Sequence, residues 1–389
     1  MFVFIEASMI IIITIFLLSF VFHEMIVRCV FYLKYKDSYK NKLLSPILID
    51  NPLYGYSFPK CFNSKKYKKL LFENFLFKPN KSKTNLNKNI ENRVLFSTNS
   101  YGFRGVDLLQ GERKVRVFCC GGSTTACDSC DDSETWPYFL NKKFNNAGHE
   151  VEVINAGIQG WYSFHDLLRI KNEIINLKPN VLILHEGWNE EFEYSSLNHG
   201  KDWRPNTVRS YLNANVFYKK SSGAFARTLN NFFSYYLVKK IFLSRAFKKQ
   251  MNFTNISRWE SLRRHEYLEA WLGVLKEIRD IAYHNRIHVY MVDPPSLVEI
   301  DDDRVNRSIY ISNSRLDKWF ADYQAVSSSR TSNFLKFIDT FIPVINCKRS
   351  FKKFSGIDRI KLFYDEIHLT PLGNKVLADT VILPKINTQ

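Results

Sequence analysis

The sequence predicts an α/β fold in which helices cover both faces of a parallel β-sheet. Apolar, strand-like runs recur along the chain at 115–120, 151–154, 181–184 and 287–292. Segments with a helical spacing of apolar residues separate the runs, and each run ends in a turn that carries Gly, Pro or polar side chains. This repeated βα unit predicts three layers around a parallel sheet with right-handed crossovers.

The first half of the predicted sheet can be followed element by element. Strand 115–120 leads into a Gly-Gly-Ser turn, and the next helix has Pro137 in its first turn, where the missing N–H costs little. We expect this helix to end at about Asn146. Strand 151–154 follows, and Ser163 can cap a helix whose apolar residues recur at helical spacing.

The second half contains one long interruption. Residues 191–255 break the βα pattern with clusters of aromatic side chains, and we interpret them as an insertion. The insertion either shapes a site at the nearby sheet edge or forms a packed helical unit without such a role. The other predicted elements are strand 181–184, a long helix near 257–285, strand 287–292, a last strand within 335–345 and a closing helix from Pro371.

Residues 2–22 predict a membrane anchor. Glu6 is the only charged residue in this stretch, and the length matches a helix that crosses a bilayer. A cleavable signal peptide needs a basic start and a small-residue cleavage site, and the sequence shows neither here. We therefore predict that residues 1–33 form an uncleaved, single-pass transmembrane anchor. The alternatives are a buried core helix and an atypical signal peptide.

The chain is strongly basic, and much of the excess lies beside the predicted anchor. The net charge is +17, from 55 Lys and Arg against 38 Asp and Glu, and residues 23–93 alone hold 15 of the former and 5 of the latter. Such a basic collar is attracted to anionic lipid headgroups, so the bilayer is the predicted partner. No nucleic-acid recognition motif accompanies the charge, and nucleic acid is excluded as a partner. Residues 34–95, which contain four Pro, are predicted to be a basic membrane-proximal linker with little regular structure.

Four short motifs place reactive side chains at the predicted sheet edge. A Gly-Gly-Ser turn (121–123) follows the first strand, Gly160 lies after the second, a Gly-Trp-Asn turn (187–189) follows the third, and Asp-Glu-Ile-His (365–368) lies near the C terminus. The carboxyl ends of parallel strands meet at one edge of the sheet, where ligands bind. In type and order the motifs resemble those of the SGNH (GDSL-like) hydrolases, over roughly residues 96–385.

The resemblance implies a flavodoxin-like three-layer domain, the SGNH hydrolase fold, over 96–389. It also implies acyl-transfer chemistry. Serine becomes a good nucleophile only when a base takes its proton, and Asp365 can orient the ring of His368 from within one loop. We therefore predict Ser123 as nucleophile, His368 as base and Asp365 as the orienting group. No metal or organic cofactor is implied.

An oxyanion needs two or three fixed hydrogen-bond donors. The motif positions predict the backbone N–H groups of Ser123 and Gly160 and the side-chain amide of Asn189 for this role. Gly157 is the alternative to Gly160, because the same turn contains both glycines. His185 is the competitor of His368, because it also lies at the end of a strand, although it has no Asp at close spacing.

Other residues near the motifs leave alternatives open. The family's usual acidic residue before the serine is Gly122 here, which removes a side chain that can brace the turn. Arg104, in a Gly-Phe-Arg-Gly turn at the predicted start of the domain, either braces the active-site face or makes a surface turn. Glu186 and Glu190 flank the Gly-Trp-Asn turn as turn braces, as solvent-exposed groups or as paired carboxylates for acid/base chemistry.

Cys127 and Cys130 form a Cys-x-x-Cys pair. A zinc site needs a second pair or suitably spaced histidines, and a thioredoxin-like role needs the pair to open a helix in a different βαβ setting. The sequence offers neither. We interpret the two residues as loop thiols beside the site, able to form a local disulfide if the domain is exported.

The resemblance and the anchor together predict a serine esterase. We expect it to remove acyl groups, O-acetyl in particular, from a carbohydrate or glycan precursor through an acyl-serine intermediate. The alternatives are an O-acyltransferase that uses the same triad on a surface glycan, a lysophospholipase-like lipid esterase and a non-catalytic glycan-binding protein. Basic residues after the anchor favour the cytoplasmic side of the membrane, whereas singly anchored family members often act on glycans outside the inner membrane.

Overall fold

The protein was analysed as a computed structural model of the full chain. The structure describes residues 14–15, 18–26, 29, 49–51, 53–63, 96–109, 115–190, 266–299 and 331–381. The chain divides into two compact units, Met1–Pro46 with Leu212–Ile256 and Ile47–Tyr211 with Ser257–Gln389.

The second unit is built on a parallel five-stranded sheet. Its strands are β3 (Val115–Gly121), β4 (Val151–Asn155), β5 (Val181–His185), β6 (His288–Val292) and β7 (Val344–Ile345). They lie in the order β4-β3-β5-β6-β7, and every neighbouring pair is parallel. This is the flavodoxin-like order, in which β4 lies on one side of β3 and the later strands lie on the other. The switch in strand order leaves a crevice at the carboxyl ends of β3 and β5. The predicted parallel sheet is confirmed.

Helices pack on both faces of this sheet. They are α1 (Ser123–Ala126), α2 (Trp136–Asn146), α3 (Ser163–Asn172), α4 (Glu266–His284), α5 (Lys348–Phe351), α6 (Gly356–Ile360) and α7 (Pro371–Thr380). Alternate residues of a strand point to opposite faces. Val117 and Cys119 accordingly join one buried cluster with residues of α2 and α7, whereas Phe118 and Cys120 join a second cluster with residues of α3 and α4. The three-layer arrangement follows from this alternation.

The last strand occupies only the end of the predicted segment 335–345. Residues 331–338 are helical, and β7 begins only at Val344. Within the helical stretch Leu335 and Ile338 are buried, whereas Phe337 is 54% exposed. This pattern repeats every three residues, as on a helix. The predicted strand is therefore confirmed only at Val344–Ile345, and the start of the predicted segment is helical.

Part of the predicted linker is regular structure. β1 (Ile49–Asn51) and β2 (Gly55–Ser57) pair as an antiparallel hairpin. Tyr54 and Tyr56 are each 1% exposed, and their rings lie 5.5 and 6.4 Å from the ring of Trp161. Burial of these aromatic rings explains why the segment is ordered. The prediction of little regular structure across 34–95 was therefore wrong for this hairpin.

The first unit is described only at 14–15, 18–26 and 29, which are helical. Leu18 and Phe22 are 65 and 66% exposed. Among the described residues, no helix combines the length and the apolar character needed to cross a membrane. Most of the predicted span at 2–22 and the whole predicted insertion at 191–255 lie outside the described residues, so both stay predictions.

Candidate active site

Ser123, His368 and Asp365 form one hydrogen-bonded chain. The Oγ atom of Ser123 lies 2.8 Å from Nε2 of His368. The other ring nitrogen, Nδ1, lies 2.7 Å from Oδ2 of Asp365. Ser123 is partly exposed, whereas His368 is 7% exposed. These are the contacts that a nucleophile, a base and an orienting carboxylate require.

A glycine turn presents Ser123 at the sheet edge. Ser123 begins α1 directly after β3. Gly121, the last residue of β3, has a φ of +145°, and a Cβ atom there would lie 2.5 Å from the carbonyl oxygen of His185. Only glycine fits such a position. The chain can therefore turn sharply beside β5 and bring the serine hydroxyl to the crevice between β3 and β5.

The loop that carries His368 is fixed by its own carboxylate. Oδ1 of Asp365 accepts the backbone N–H groups of Ile367 at 2.9 Å and of His368 at 2.8 Å. Its Oδ2 atom is thereby aimed at the imidazole. After the loop, the Thr370 side chain caps α7, and Pro371 occupies the first helical position. The Asp-x-x-His spacing thus lets Asp365 bind both the backbone and the ring of His368 within one turn.

The charges in this loop favour the protonated form of His368. Burial alone lowers the pKa of His368, but the charge and the side-chain hydrogen bond of Asp365, together with the charges of Asp128 and Glu366, outweigh burial, so this pKa is raised. Burial likewise opposes ionisation of Asp365, but His368 and the loop N–H groups hold the pKa of Asp365 below its usual value. Asp365 therefore stays ionised and can stabilise an imidazolium ion during proton transfer.

His185 does not join this chain. It is 2% exposed, and neither ring nitrogen has a hydrogen-bond partner among the described residues. Its ring packs edge-on against Trp136, with 5.8 Å between the centroids. Burial lowers the pKa of His185 to about 3. His185 is therefore a neutral core residue, and His368 is the histidine that contacts Ser123.

The predicted oxyanion donors lie around Ser123. Within the described part of the chain, the N–H groups of Ser123 and Gly160 donate no hydrogen bond. The Asn189 side-chain amide donates one hydrogen bond, to the carbonyl oxygen of Trp161 at 2.7 Å. Because an amide nitrogen carries two hydrogens, a second donor is left on Asn189. Among the described residues, each of the three predicted groups thus keeps one N–H without an acceptor.

Gly157 has a different environment from Gly160. The Gly157 N–H already donates to Oδ1 of Asn155 at 3.1 Å. A Cβ atom on Gly157 would lie 2.5 Å from the backbone nitrogen of Ala126. Gly157 therefore permits close packing of its turn against α1. Of the two glycines considered from the sequence, Gly160 is the one with a free N–H among the described residues.

Gly122, the residue before Ser123, lies where there is no space for a side chain. A Cβ atom on Gly122 would lie 2.6 Å from Nδ2 of Asn189 and 2.8 Å from the carbonyl oxygen of Trp161. The hydrogen bond between Asn189 and Trp161 therefore occupies the space that a side chain at this position needs. In this chain the turn is closed by that contact instead of by an acidic side chain at Gly122.

Arg104 braces the loop that follows Ser123. Its side chain is 1% exposed, and its Nε atom pairs with Oδ1 of Asp132 at 2.9 Å. The guanidinium group donates to the carbonyl oxygens of Ala126, Cys127 and Cys130, the last two at 2.6 and 2.5 Å. Arg104 therefore fixes the loop after α1, and the alternative of a surface turn is wrong.

Glu186 and Glu190 are buried, at 2 and 0% exposure. Glu190 accepts the backbone N–H groups of Ser163 and Gly187, so it braces turns. Burial, followed by the like charges of Glu190 and Asp166, raises the pKa of Glu186 well above its usual range. Of the three alternatives for Glu190, the brace is the one present.

Sequence reasoning missed two buried carboxyl groups, Asp128 and Asp166. Both oxygens of Asp128 lack a hydrogen bond to any described residue. Burial raises the pKa of Asp128 to about 6, against the opposing charges of Arg104 and His368. Burial also raises the pKa of Asp166 to about 6. The sequence did indicate that Asp166 would be buried, since it shares a helical face with Ser163 and Ile170.

Cys127 and Cys130 are free thiols beside the site. Sγ of Cys127 lies 3.5 Å from Oδ1 of Asn374, and Nδ2 of Asn374 donates to Sγ of Cys130 at 3.3 Å. Burial raises the pKa of Cys127 to about 12. Among the described residues, no group of three or more His, Cys, Asp or Glu side chains is arranged to hold a metal ion.

No family model matches the chain, and no curated protein matches it significantly. Solved structures are similar to it at low identity. Axe2, an acetylxylan esterase from Geobacillus stearothermophilus, is 11% identical with a TM-score of 0.38, over 69% of this chain and 94% of that one. The acetyl xylan esterase AlAXEase is 16% identical with a TM-score of 0.39, over 68 and 97% of the respective chains. A GDSL-like lipase from Bacteroides thetaiotaomicron is 15% identical with a TM-score of 0.36, over 70 and 89%.

These neighbours are described as two acetyl xylan esterases and a GDSL-like lipase. At such identities and TM-scores, the likeness does not assign an activity to this chain. The function is therefore argued from the geometry around Ser123.

Proposed function

We propose that the protein is a serine ester hydrolase that works through an acyl-Ser123 intermediate. One observation carries the proposal: the continuous chain from Ser123 Oγ through the His368 ring to Asp365, with contacts of 2.8 and 2.7 Å. A serine hydroxyl within hydrogen-bond reach of an imidazole oriented by a carboxylate is the arrangement that activates serine for attack.

The proposed reaction has two halves. Ser123 Oγ attacks the ester carbonyl carbon while its proton passes to Nε2 of His368, and the oxyanion of the tetrahedral intermediate binds the N–H donors of Ser123, Gly160 and Asn189. The bond from the carbonyl carbon to the alkoxy oxygen then breaks, and His368 gives its proton to the leaving alcohol. Water repeats the attack on the acyl-serine with His368 as base, which releases the acid and restores the Ser123 hydroxyl.

For the substrate we propose a small acyl ester, O-acetyl in particular, on a carbohydrate or glycan precursor. The motif resemblance to SGNH hydrolases and the predicted membrane anchor support this choice. An O-acyltransferase needs the same triad and differs only in the acceptor, a sugar hydroxyl in place of water. Ester hydrolysis measured with and without an added sugar acceptor can separate the two reactions.

The test uses the full-length chain in detergent and its Ser123→Ala variant. We expect hydrolysis of p-nitrophenyl acetate, weaker turnover of the butyrate and octanoate esters, and loss of all three activities in the variant. Ser133→Ala is the matched control, because Ser133 is exposed and its side chain contacts only Asp131. Turnover restricted to octanoate contradicts the small-acyl proposal and favours a lipid esterase.

Turnover that appears only with an added oligosaccharide acceptor favours the transferase. A rate equal in the wild type and in Ser123→Ala overturns the proposed function and leaves a binding protein as the better interpretation.

We also propose that the N-terminal segment holds the protein on a membrane, with the bilayer as partner. The apolar stretch 2–22 and the basic residues after it support this. We expect the full chain to stay with the membrane pellet after alkaline carbonate extraction. Release into the supernatant would contradict a transmembrane anchor, and flotation with anionic vesicles at low salt alone would then indicate electrostatic surface binding.

A further inference from the structure

We infer that Glu190 is a positioning residue that holds two oxyanion donors, the Gly160 N–H and the Asn189 amide, in register with Ser123. This inference rests on the proposed function and concerns the same site. Glu190 lies next to Asn189 in the sequence but is fully buried, at 0% exposure. It is therefore not proposed to touch the reacting atoms.

The Glu190 carboxylate links two turns. Its Oε1 atom accepts the Ser163 N–H at 2.9 Å, and its Oε2 atom accepts the Gly187 N–H at 2.7 Å. Ser163 follows the turn after β4, and Gly187 opens the turn after β5. Hydrogen bonds from N–H groups to an ionised carboxylate are among the strong ones. One side chain thus connects the two turns that carry the donors.

A second hydrogen bond joins the turn after β4 to the turn after β5. The Asn189 amide donates to the Trp161 carbonyl oxygen at 2.7 Å, and Trp161 follows Gly160 directly. The two turns are joined once through Asn189 and once through Glu190. With two attachment points the turns cannot rotate about a single hydrogen bond. The distance between the Gly160 N–H and the Asn189 amide is thereby fixed before a substrate arrives.

The helix after Gly160 also depends on Glu190. The N-cap residue of α3, Tyr162, makes no side-chain capping bond. The first N–H groups of a helix need acceptors, and a negative charge at this end interacts favourably with the helix dipole. Glu190 supplies both from a neighbouring turn. The start of α3 is therefore set by the position of β5.

Two other buried carboxyl groups, Glu186 and Asp166, lie near Glu190. Glu186 and Asp166 lie close enough to act on each other's ionisation, and burial, followed by the charges of Glu190 and Asp166, raises the pKa of Glu186 well above its usual range. Burial and the neighbouring carboxyl groups therefore disfavour ionisation of Glu186.

The first variant is Glu190→Gln in the full-length chain in detergent. An amide offers one acceptor oxygen and one NH₂ group, so the side chain can no longer accept both N–H groups. We expect kcat on p-nitrophenyl acetate to fall about 10- to 100-fold with little change in KM, because a small misplacement of donors weakens binding of the transition state more than of the substrate. Affinity for an alkylboronic acid, which forms a tetrahedral adduct on Ser123, should fall by a similar factor.

Glu277→Gln is the matched control. Glu277 makes an exposed ion pair with Lys171 on the surface, at 2.7 Å, and such pairs contribute little to stability. An unchanged kcat in Glu190→Gln, or a lowered kcat with unchanged boronate affinity, overturns the inference.

A second pair of variants covers the case in which Glu190→Gln does not fold. Ser163→Pro removes the N–H that Glu190 accepts, and proline is tolerated at the first position of a helix. Tyr162, with φ −140° and ψ 171°, already has the extended conformation that a residue before proline prefers. Ser163→Ala removes the same hydroxyl and keeps the N–H. We expect a lower kcat in Ser163→Pro than in Ser163→Ala, and equal values overturn the inference.

Amide hydrogen exchange gives a readout that does not depend on turnover. We expect faster exchange at 158–163 and 187–190 in Glu190→Gln than in Glu277→Gln, with unchanged exchange in β3. If the wild type shows no Ser123-dependent hydrolysis, the proposed function fails, and faster exchange still supports the positioning role of Glu190. Unchanged exchange in both turns overturns that role whether or not the protein is an esterase.

Discussion

Asp365 holds His368 through both oxygens of a single carboxylate. Oδ1 accepts the His368 backbone N–H at 2.8 Å, and Oδ2 lies 2.7 Å from the ring Nδ1. The first contact fixes the loop, and the second fixes the ring. The same residue therefore sets where the imidazole lies and which of its nitrogens faces Ser123.

Asp365→Asn should separate these two contributions. The amide oxygen can still accept a loop N–H, but its NH₂ group facing Nδ1 would favour the wrong tautomer of His368. We expect kcat/KM on p-nitrophenyl acetate to fall about 10³- to 10⁴-fold, with the fold retained by circular dichroism. Asp358→Asn is the control, because the Asp358 side chain is 71% exposed and pairs with Lys361 at the surface. Activity within tenfold of the wild type would contradict the role of Asp365.

As the pH is lowered, kcat/KM should begin to fall at a pH above the ordinary pKa of histidine. The base must be neutral to accept the Ser123 proton, and the pKa of His368 is raised above 6.5 because Asp365 and Asp128 outweigh the effect of burial. As the pH falls through this raised pKa, the ring becomes protonated and kcat/KM declines. The pH profile of kcat/KM between about pH 5 and 9 measures this limb.

Asp128→Asn should move that limb to lower pH. Asp128 is buried near His368, and its negative charge favours the imidazolium ion. Without this charge the pKa of His368 falls, so activity persists to lower pH while the rate on the alkaline plateau changes little. Asp379→Asn, at an exposed position on α7, is the control. An unmoved limb would show that Asp128 does not act on His368.

Gly122→Ala should displace an oxyanion donor without unfolding the protein. Gly122 has a negative φ of −82°, so alanine meets no left-handed strain there. The added methyl group would nevertheless lie 2.6 Å from Nδ2 of Asn189 and 2.8 Å from the carbonyl oxygen of Trp161. We expect a loss in kcat on the order of 10²-fold, as for loss of one oxyanion-hole donor. Gly273→Ala in α4, with no atom within 4 Å of the new Cβ, should instead leave kcat unchanged. Full activity of Gly122→Ala would mean that Asn189 is not a donor.

Arg104→Lys should destabilise the domain. Lysine cannot reproduce the planar fork that reaches three carbonyl oxygens and Asp132. Lysine keeps the positive charge but leaves buried carbonyl oxygens without donors, and each unsatisfied buried acceptor costs about 1–3 kcal/mol in the free energy of unfolding, which chemical denaturation measures. Arg279→Lys, where the arginine is 41% exposed beside Asp280, should cost under about 1 kcal/mol. Equal stabilities of the two variants would contradict the brace at Arg104.

Local sequence pattern predicted most of the sheet. The runs that became β3, β4, β5 and β6 are short, apolar and bounded by turn residues, and strands buried on both faces need such runs. The segment at 335–339 misled for the same reason, because a short apolar run does not separate strand from helix. Only burial of Leu335 and Ile338 beside an exposed Phe337 decided for the helix.

The candidate triad was predictable because each part is local. Ser123 needs only a strand followed by a glycine turn, and Asp365 reaches His368 from three residues away. The hairpin at 49–57 was not predictable in this way. Its order depends on Trp161, a residue far along the chain, and no local pattern indicates that partner.

The sequence by itself predicted the parallel α/β class, most of the strands and the residues of the candidate triad, since these follow from periodicity and turn chemistry. Tertiary structure alone decided which distant turns are joined. Glu190 caps a helix on another βα unit, Arg104 braces a loop more than 20 residues away, and Gly122 is small because Asn189 meets Trp161 beside it. Such contacts depend on how the elements pack, and packing is a property of the whole domain.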